Sequence, residues 1–167
     1  YCFFSLSDFN NTVYINHLSS TYIVDRCMSY IIVDHRESKS SVPFLLKEMG
    51  IKVIFKFLEI GDYIVSPEIA VERNTLRAFI SSLFAGRLFQ QLARLSSSYS
   101  SPFMIIEGNY SEIDAYIQNP KAIYGALVSL LLNYRINIVN VPSEKEVAIL
   151  LSSLANQFSR KPFLSIK

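Results

Sequence analysis

The chain has 167 residues, half of them hydrophobic, and a net charge of +2. That length holds one domain with a full core, or one domain plus a short appendage, and so mild a charge leaves any nucleic-acid binding to a local basic face. Two cysteines, Cys2 and Cys27, make neither a disulfide framework nor a zinc site, so a reducing, intracellular setting is expected, the cytoplasm of a prokaryote or the nucleus of a eukaryote.

Residues 1–29 differ from the rest and read as an appendage or the tail of a preceding segment. The opening YCFFSLSDFN lacks the basic start of a signal peptide, and Tyr1 in place of Met reads as a fragment of a longer protein. Within it, TVYINHLSSTYIVDR alternates around a Ser-Ser break and predicts a hairpin or two loose strands. From Tyr30, YIIV is a buried-type strand ending at Asp34. SVPFLLKEMG predicts a helix, with Ser41 as cap, Pro43 in the first turn and Gly50 past the end. IKVIFKFLEI begins as a strand with one wet face. GDYIVSPEIAVERN follows as a hairpin around Pro67. Leu76, Phe79, Ile80, Leu83 and Phe84 share one helix face, which Gly86 breaks, and Leu88, Leu92, Leu95 and Tyr99 mark a second helix. SSSYSSP reads as a loop, FMIIEG as a buried strand and YSEIDAYIQNP as loop and turn. KAIYGALVSLLLNY is a helix apolar nearly all round, too short for the roughly 20 residues of a membrane span. INIVNV is a strand. SEKEVAILLSSLANQF is a helix with a capping box of Ser143 and Glu146 and a stripe of Val147, Leu150, Leu151, Leu154 and Phe158. The alternation predicts an α/β fold with a mixed, largely parallel sheet covered by helices.

Acids gather at the strand ends, where sites in such sheets lie. With the turn centred on Pro67, positions 62 and 72 oppose one another, so Asp62 and Glu72 point the same way, about 5 Å apart at Cβ. Opposed like charges destabilise a hairpin unless something neutralises them, and Mg²⁺ or Mn²⁺ would do so through oxygen ligands. Asp34 and Glu37 sit at the neighbouring strand end, which brings four carboxylates toward one point. Geometry alone leaves two readings open, a shared cation or a hairpin end splayed into water.

The motifs VDHRE (Val33–Glu37), GDYI (Gly61–Ile64), VER (Val71–Arg73) and GRLFQQ (Gly86–Gln91) occur in the order and spacing of the XPF nuclease family, which includes the archaeal Hef proteins. The chain resembles that family from about Tyr30 to Phe158. The resemblance implies a restriction-endonuclease-like core of the PD-ExK type over residues 30–160, and Mg²⁺- or Mn²⁺-dependent cutting of branched DNA such as forks and flaps. It also implies assembly as a homo- or heterodimer with an XPF-family subunit. The tandem helix-hairpin-helix module and the helicase motifs found in family members are absent from these residues. Carried over position by position, Asp62 and Glu72 match metal ligands and Asp34 an acid beside the metal. Arg36 and Glu37 match the supporting pair of VDxRE, and Arg73 the arginine of ERKxxxD. Two positions depart. The family lysine is Asn74 here and the family aspartate is Ala78. The lysine would sit on the strand face of Glu72, where its charge helps place the attacking water and offsets charge on the phosphate. The departures imply weakened metal binding and impaired cleavage, or a non-catalytic scaffold that binds DNA and partners another protein.

Arg77, Arg87 and Arg94, with Lys121 and Arg135, would form a phosphate-tracking face. Taken singly each reads as solvated surface charge, except Arg87, which lies in a family motif. Arg36, Arg77 and Arg87 are the candidates for DNA contact. His17 and His35 have no partner at ligand spacing and read as ordinary histidines. Phe84, Phe89, Tyr99 and Phe103 fall on core stripes. A helix without a polar face is buried on both sides, so the helix carrying Val128 and Leu131 is expected to meet the sheet on one side and a second subunit on the other.

Overall fold

The structure, a computed structural model, describes residues 29–159, with the side chains of residues 158 and 159 left aside. The hairpin expected at Thr12–Arg26, both cysteines and His17 lie outside the described residues, as does the side chain of Phe158. Six strands form one sheet: β1 (Tyr30–Asp34), β2 (Lys52–Lys56), β3 (Tyr63–Ile64), β4 (Ala70–Thr75), β5 (Phe103–Glu107) and β6 (Asn137–Val141). Their order is β2-β1-β3-β4-β5-β6. β1 pairs with β2, β4 with β5 and β5 with β6 in parallel, while β3 runs antiparallel to both β1 and β4. The mixed α/β sheet read from the sequence is therefore the observed one, and the hairpin is what makes it mixed.

The helices are α1 (Val42–Glu48), α2 (Leu76–Phe84), α3 (Leu88–Ser98), α4 (Ile113–Tyr116), α5 (Lys121–Asn133) and α6 (Glu144–Ser159). Each sheet face is covered. Val33, Tyr63, Val71 and Ile105 pack with Val42 and Leu46 of α1 and Val147 and Leu151 of α6. Ala70, Met104 and Ile106 pack on the other face with Phe79 of α2, Leu92 of α3 and Leu130 of α5. Met104, Ile105 and Ile106 are fully buried, which is why β5 reads as an unbroken apolar run.

Local chemistry sets the element ends. Pro43 lies in the first turn of α1, and Gly50 beyond it adopts a left-handed φ of +78°, the usual helix stop. Ser41 occupies the cap position of α1 but does not cap it; its hydroxyl donates to Glu144 at the start of α6. Three further expectations change. Ser96 to Ser98 continue α3 rather than opening a loop. Residues Tyr110–Glu112 form a 3₁₀ turn that runs into the short helix α4, where only loop and turn were expected. Phe84, expected on the core stripe, is exposed, at the last residue of α2. Phe89, Tyr99 and Phe103 do pack against the cores. Among the described residues no helix is long and apolar enough to cross a membrane.

Candidate functional site

The hairpin delivers its acids to one place. Tyr63 stands opposite Val71 and Ile64 opposite Ala70, a register centred on position 67, as the sequence predicts. Asp62, just before β3, and Glu72, within β4, thus flank one strand pair. Gly61 makes the entry possible: its φ is +80°, and a Cβ there would meet Leu95 Cδ1 at 3.4 Å. The Asp62 N–H then donates to the Val71 carbonyl at 2.8 Å, and the Asp62 carbonyl accepts from the Asp34 N–H at 2.8 Å.

Both carboxylates are buried, Asp62 at 9% and Glu72 at 6% exposure. Burial raises them both, Asp62 to about 6 and Glu72 to about 8, and the negative charge of Asp62 is the next contributor at Glu72. Their compensation is thin. Asp62 Oδ2 accepts from the Arg73 N–H at 2.9 Å, and Glu72 Oε1 accepts from the Gln91 side-chain amide. Neither forms a salt bridge among the described residues.

Asp34 and Glu37 do not join them. Asp34, 1% exposed, caps the 3₁₀ turn His35–Lys39: its Oδ1 accepts from the Arg36 N–H at 2.8 Å and from Arg36 Nε at 2.7 Å. Its Oδ2 accepts from the Leu58 N–H at 2.7 Å. Burial alone would raise this carboxyl, but those bonds and the guanidinium charge outweigh it and hold it at about 2. Asp34 fixes the ends of β1 and β2 rather than offering free oxygens. Glu37 turns to the other face, accepting from the Tyr63 hydroxyl at 2.5 Å and from Arg73 at 2.8 Å. Of the four carboxylates expected around one point, Asp34 lies beside the pair with both oxygens committed and Glu37 faces the other way, and among the described residues no three acidic, histidine or cysteine side chains stand together as a ligand cluster.

Arg73 is not a site residue facing the pair. Alternation along β4 sends it to the α1/α6 face, where it binds Glu37, Glu107 at 2.5 Å and Glu144 at 2.9 Å. Glu107, Glu144, Tyr63 and Gln91 carry these networks, and the sequence reading gave none of them a role. Glu107 had a readable signal, the same as Asp34: a charge ending an apolar strand. Gln91 stood inside a quoted motif.

On the α2/α3 face, Glu72 lines an open cleft of about 260 Å³ with Arg36, Arg87, Arg94, Gln90 and Gln91. Arg36 and Arg87, two of the residues expected to contact DNA, line this cleft, and Arg94 joins them. Arg77, Lys121 and Arg135 are not part of its lining. Asn74, two residues along β4 from Glu72, has a buried side-chain nitrogen with no hydrogen-bond partner among the described residues. Ala78 lies in the first turn of α2, its N–H donating to the Thr75 hydroxyl at 3.2 Å. A buried pair of carboxylates with raised proton affinity, beside three arginines, can take a cation and a phosphate together.

Residues 33–154 match the ERCC4 domain family model. The chain is 36% identical over 128 residues to the 3'-flap repair endonuclease Xpf of Saccharolobus solfataricus, an alignment covering 77% of this chain and 55% of that protein. It is 43% identical over 79 residues to the DNA repair endonuclease XPF of Mus musculus, 47% of this chain and 9% of that one. The chain therefore spans about half the length of the first relative and under a tenth of the second. The solved structure of XPF from Aeropyrum pernix in complex with DNA superposes with a TM-score of 0.74 at 41% identity, covering 83% of this chain and 68% of that one.

Proposed function

Because the chain belongs to the ERCC4 domain family, we propose that it is the nuclease domain of an XPF-type, structure-specific DNA repair endonuclease that acts on forks or flaps. The observation that carries this reading is the buried Asp62–Glu72 pair beside a cleft lined by Arg36, Arg87 and Arg94. The pair suits Mg²⁺ or Mn²⁺. Its donors are hard oxygens, and Mg²⁺ is held by one or two carboxylates with water and substrate phosphate completing its shell. A cation there supplies charge to the phosphoryl oxygens and acidifies the attacking water.

The chain's own residues supply the rest. The cleft arginines seat the phosphodiester, Gln91 aims Glu72, the Arg73 N–H aims Asp62, and Asp34 locks the strand end that carries Arg36. At Asn74 the site has an uncharged amide where the family has a lysine, so one stabilising charge on the reacting phosphate is missing and cleavage is slow. The unpartnered amide nitrogen also favours a second reading, a non-catalytic scaffold that binds branched DNA and pairs with another XPF-family subunit. In either case the exposed side of α5, with Val128 and Leu131, is the dimer contact.

Cleavage of a labelled fork, with and without Mg²⁺ or Mn²⁺, separates the readings. Slow, metal-dependent cutting that Asp62→Asn and Glu72→Gln abolish supports the nuclease. Salt-dependent binding to forks with no cutting, even after Asn74→Lys, supports the scaffold. No binding to forks at any salt sinks both.

A further inference from the structure

Three rings gather where β1 and β2 end side by side. His35, directly after Asp34, stacks on Phe55 with ring centres 5.7 Å apart and planes 29° apart, and meets Phe57 at 4.4 Å and 33°. The Lys47 ammonium lies over the Phe55 ring, 5.8 Å from its centre. Phe55 leans on the core, but His35 is exposed and Phe57 is 86% exposed. A single exposed ring needs no explanation. A file of rings ending in a bare phenyl group, with the Lys47 ammonium over its inner ring, contributes little to the core and presents a π-face to solvent.

The file is tied to the cleft. The Leu58 N–H, next to Phe57, donates to Asp34 at 2.7 Å, and Arg36, which lines the cleft, reaches the Leu58 carbonyl at 3.4 Å. The rings, on the α1/α6 side, and the cleft, on the α2/α3 side, are thus linked through the Asp34–Arg36–Leu58 contacts at the strand ends.

We propose that His35 and Phe57 are a stacking platform for an unpaired base of a single-stranded DNA arm leading into the cleft. This rests on the nuclease-domain reading and adds what phosphate contacts cannot. Arginines and lysines grip the backbone of any strand alike. A bare phenyl ring reads a base face, which every base has and which a duplex covers with its own stacking. The occupant is therefore a strand with free bases, bound without sequence preference.

The test compares binding of the full chain to an oligo-dT strand and to a blunt duplex of equal length, by fluorescence anisotropy in metal-free buffer so that nothing is cut. Phe57→Ala should weaken oligo-dT binding about tenfold, the loss expected for one base–aromatic stack, and leave the duplex unchanged. Phe57→Trp should keep the affinity. As the only tryptophan in the chain, it should be quenched by oligo-dT and not by the duplex. Equal losses on both probes, or no loss on either while the parent chain binds both, overturn the platform and leave the nuclease reading standing. A parent chain that binds neither DNA overturns both.

Discussion

On the proposed nuclease reading, Asn74 sets how fast this site works. Its side-chain nitrogen is buried and unpartnered on the strand face of Glu72, so the position faces the site but offers no charge to it. Restoring Asn74→Lys should raise fork cleavage, and Asn74→Lys with Ala78→Asp should raise it further, to about 10²-fold over the parent, the scale of one transition-state donor. Fork affinity should change little, since phosphate contacts elsewhere set it. A parent chain that already cuts at the rate of the double variant sinks the lysine argument. The carboxylate pair gives a second prediction. Both carboxyls are raised by burial, Asp62 to about 6 and Glu72 to about 8, above the ordinary carboxylate range near 4. The folded domain thus holds more protons than the unfolded chain, and the stability this gives is full at low pH and lost as pH rises through about 4 to 8. Asp34, held at about 2, acts oppositely, losing its contribution only as pH falls from about 4 toward 2. In metal-free buffer, Glu72→Gln should therefore melt higher than the parent at pH 8 and much closer to it at pH 5, and Mg²⁺ should raise the parent Tm at pH 8 more than at pH 5. Identical melting of parent and Glu72→Gln at pH 8 would mean the pair carries no buried repulsion. The pair itself was legible from hairpin arithmetic alone. Its partners were not, because Gln91 comes from 19 residues away on α3 and, though it stood in a quoted motif, no local pattern links it to Glu72.

At the scale of elements, Arg73 binds β4 to β5, to the 3₁₀ turn after β1 and to the start of α6 through Glu107, Glu37 and Glu144. Three acids around one mostly buried guanidinium are stable only while it is there. Arg73→Met should cost about 3 kcal/mol or more, the scale for removing one partner of a buried ion network. The Tm should fall by on the order of 10 °C. Arg73→Lys should recover only part, because a single ammonium cannot reach three carboxylates in the fan a guanidinium spans. A lysine variant as stable as the parent in a thermal melt would show that charge alone suffices. The strands and helices were readable because periodicity and end signals are local: Pro43 and Gly50 bound α1 as read, and the stripe of Leu88, Leu92 and Leu95 is buried as written. The misses are also physical. Ser96 to Ser98 are poor helix formers, yet the Ser96 hydroxyl donates to the Tyr134 carbonyl at 2.6 Å, a tertiary contact that extends α3. Asp34 and Glu37 lie near each other in sequence, but alternation and the 3₁₀ turn send them to different faces, which residue spacing alone did not show. Arg73, matched to the arginine of ERKxxxD, holds elements together through these contacts.

At the scale of the whole molecule, α5 leaves one side uncovered. Ile123, Ala126 and Leu130 are buried against the sheet, whereas Tyr124, Val128, Leu131 and Leu132 are all at least half exposed. Four large apolar side chains on consecutive turns form a contiguous patch of the kind that marks an interface rather than scattered surface residues. A second copy of the chain would cover it by two-fold symmetry, each α5 lying on the other. The chain should therefore be a dimer at micromolar concentration, and Leu131→Glu or Val128→Glu should make it a monomer by light scattering. Both side chains are half exposed already, so the monomers should stay folded, with Tm within a few degrees of the parent at low protein concentration. They should also keep the Mg²⁺ response at pH 8, because Asp62 and Glu72 stand on the β3–β4 hairpin and not on α5. A parent chain that scatters as a monomer would leave the α5 patch to some other partner. A Leu131→Glu dimer would move the interface elsewhere. Loss of the Mg²⁺ response in a folded Leu131→Glu monomer would show that the carboxylate pair is completed only when two copies meet.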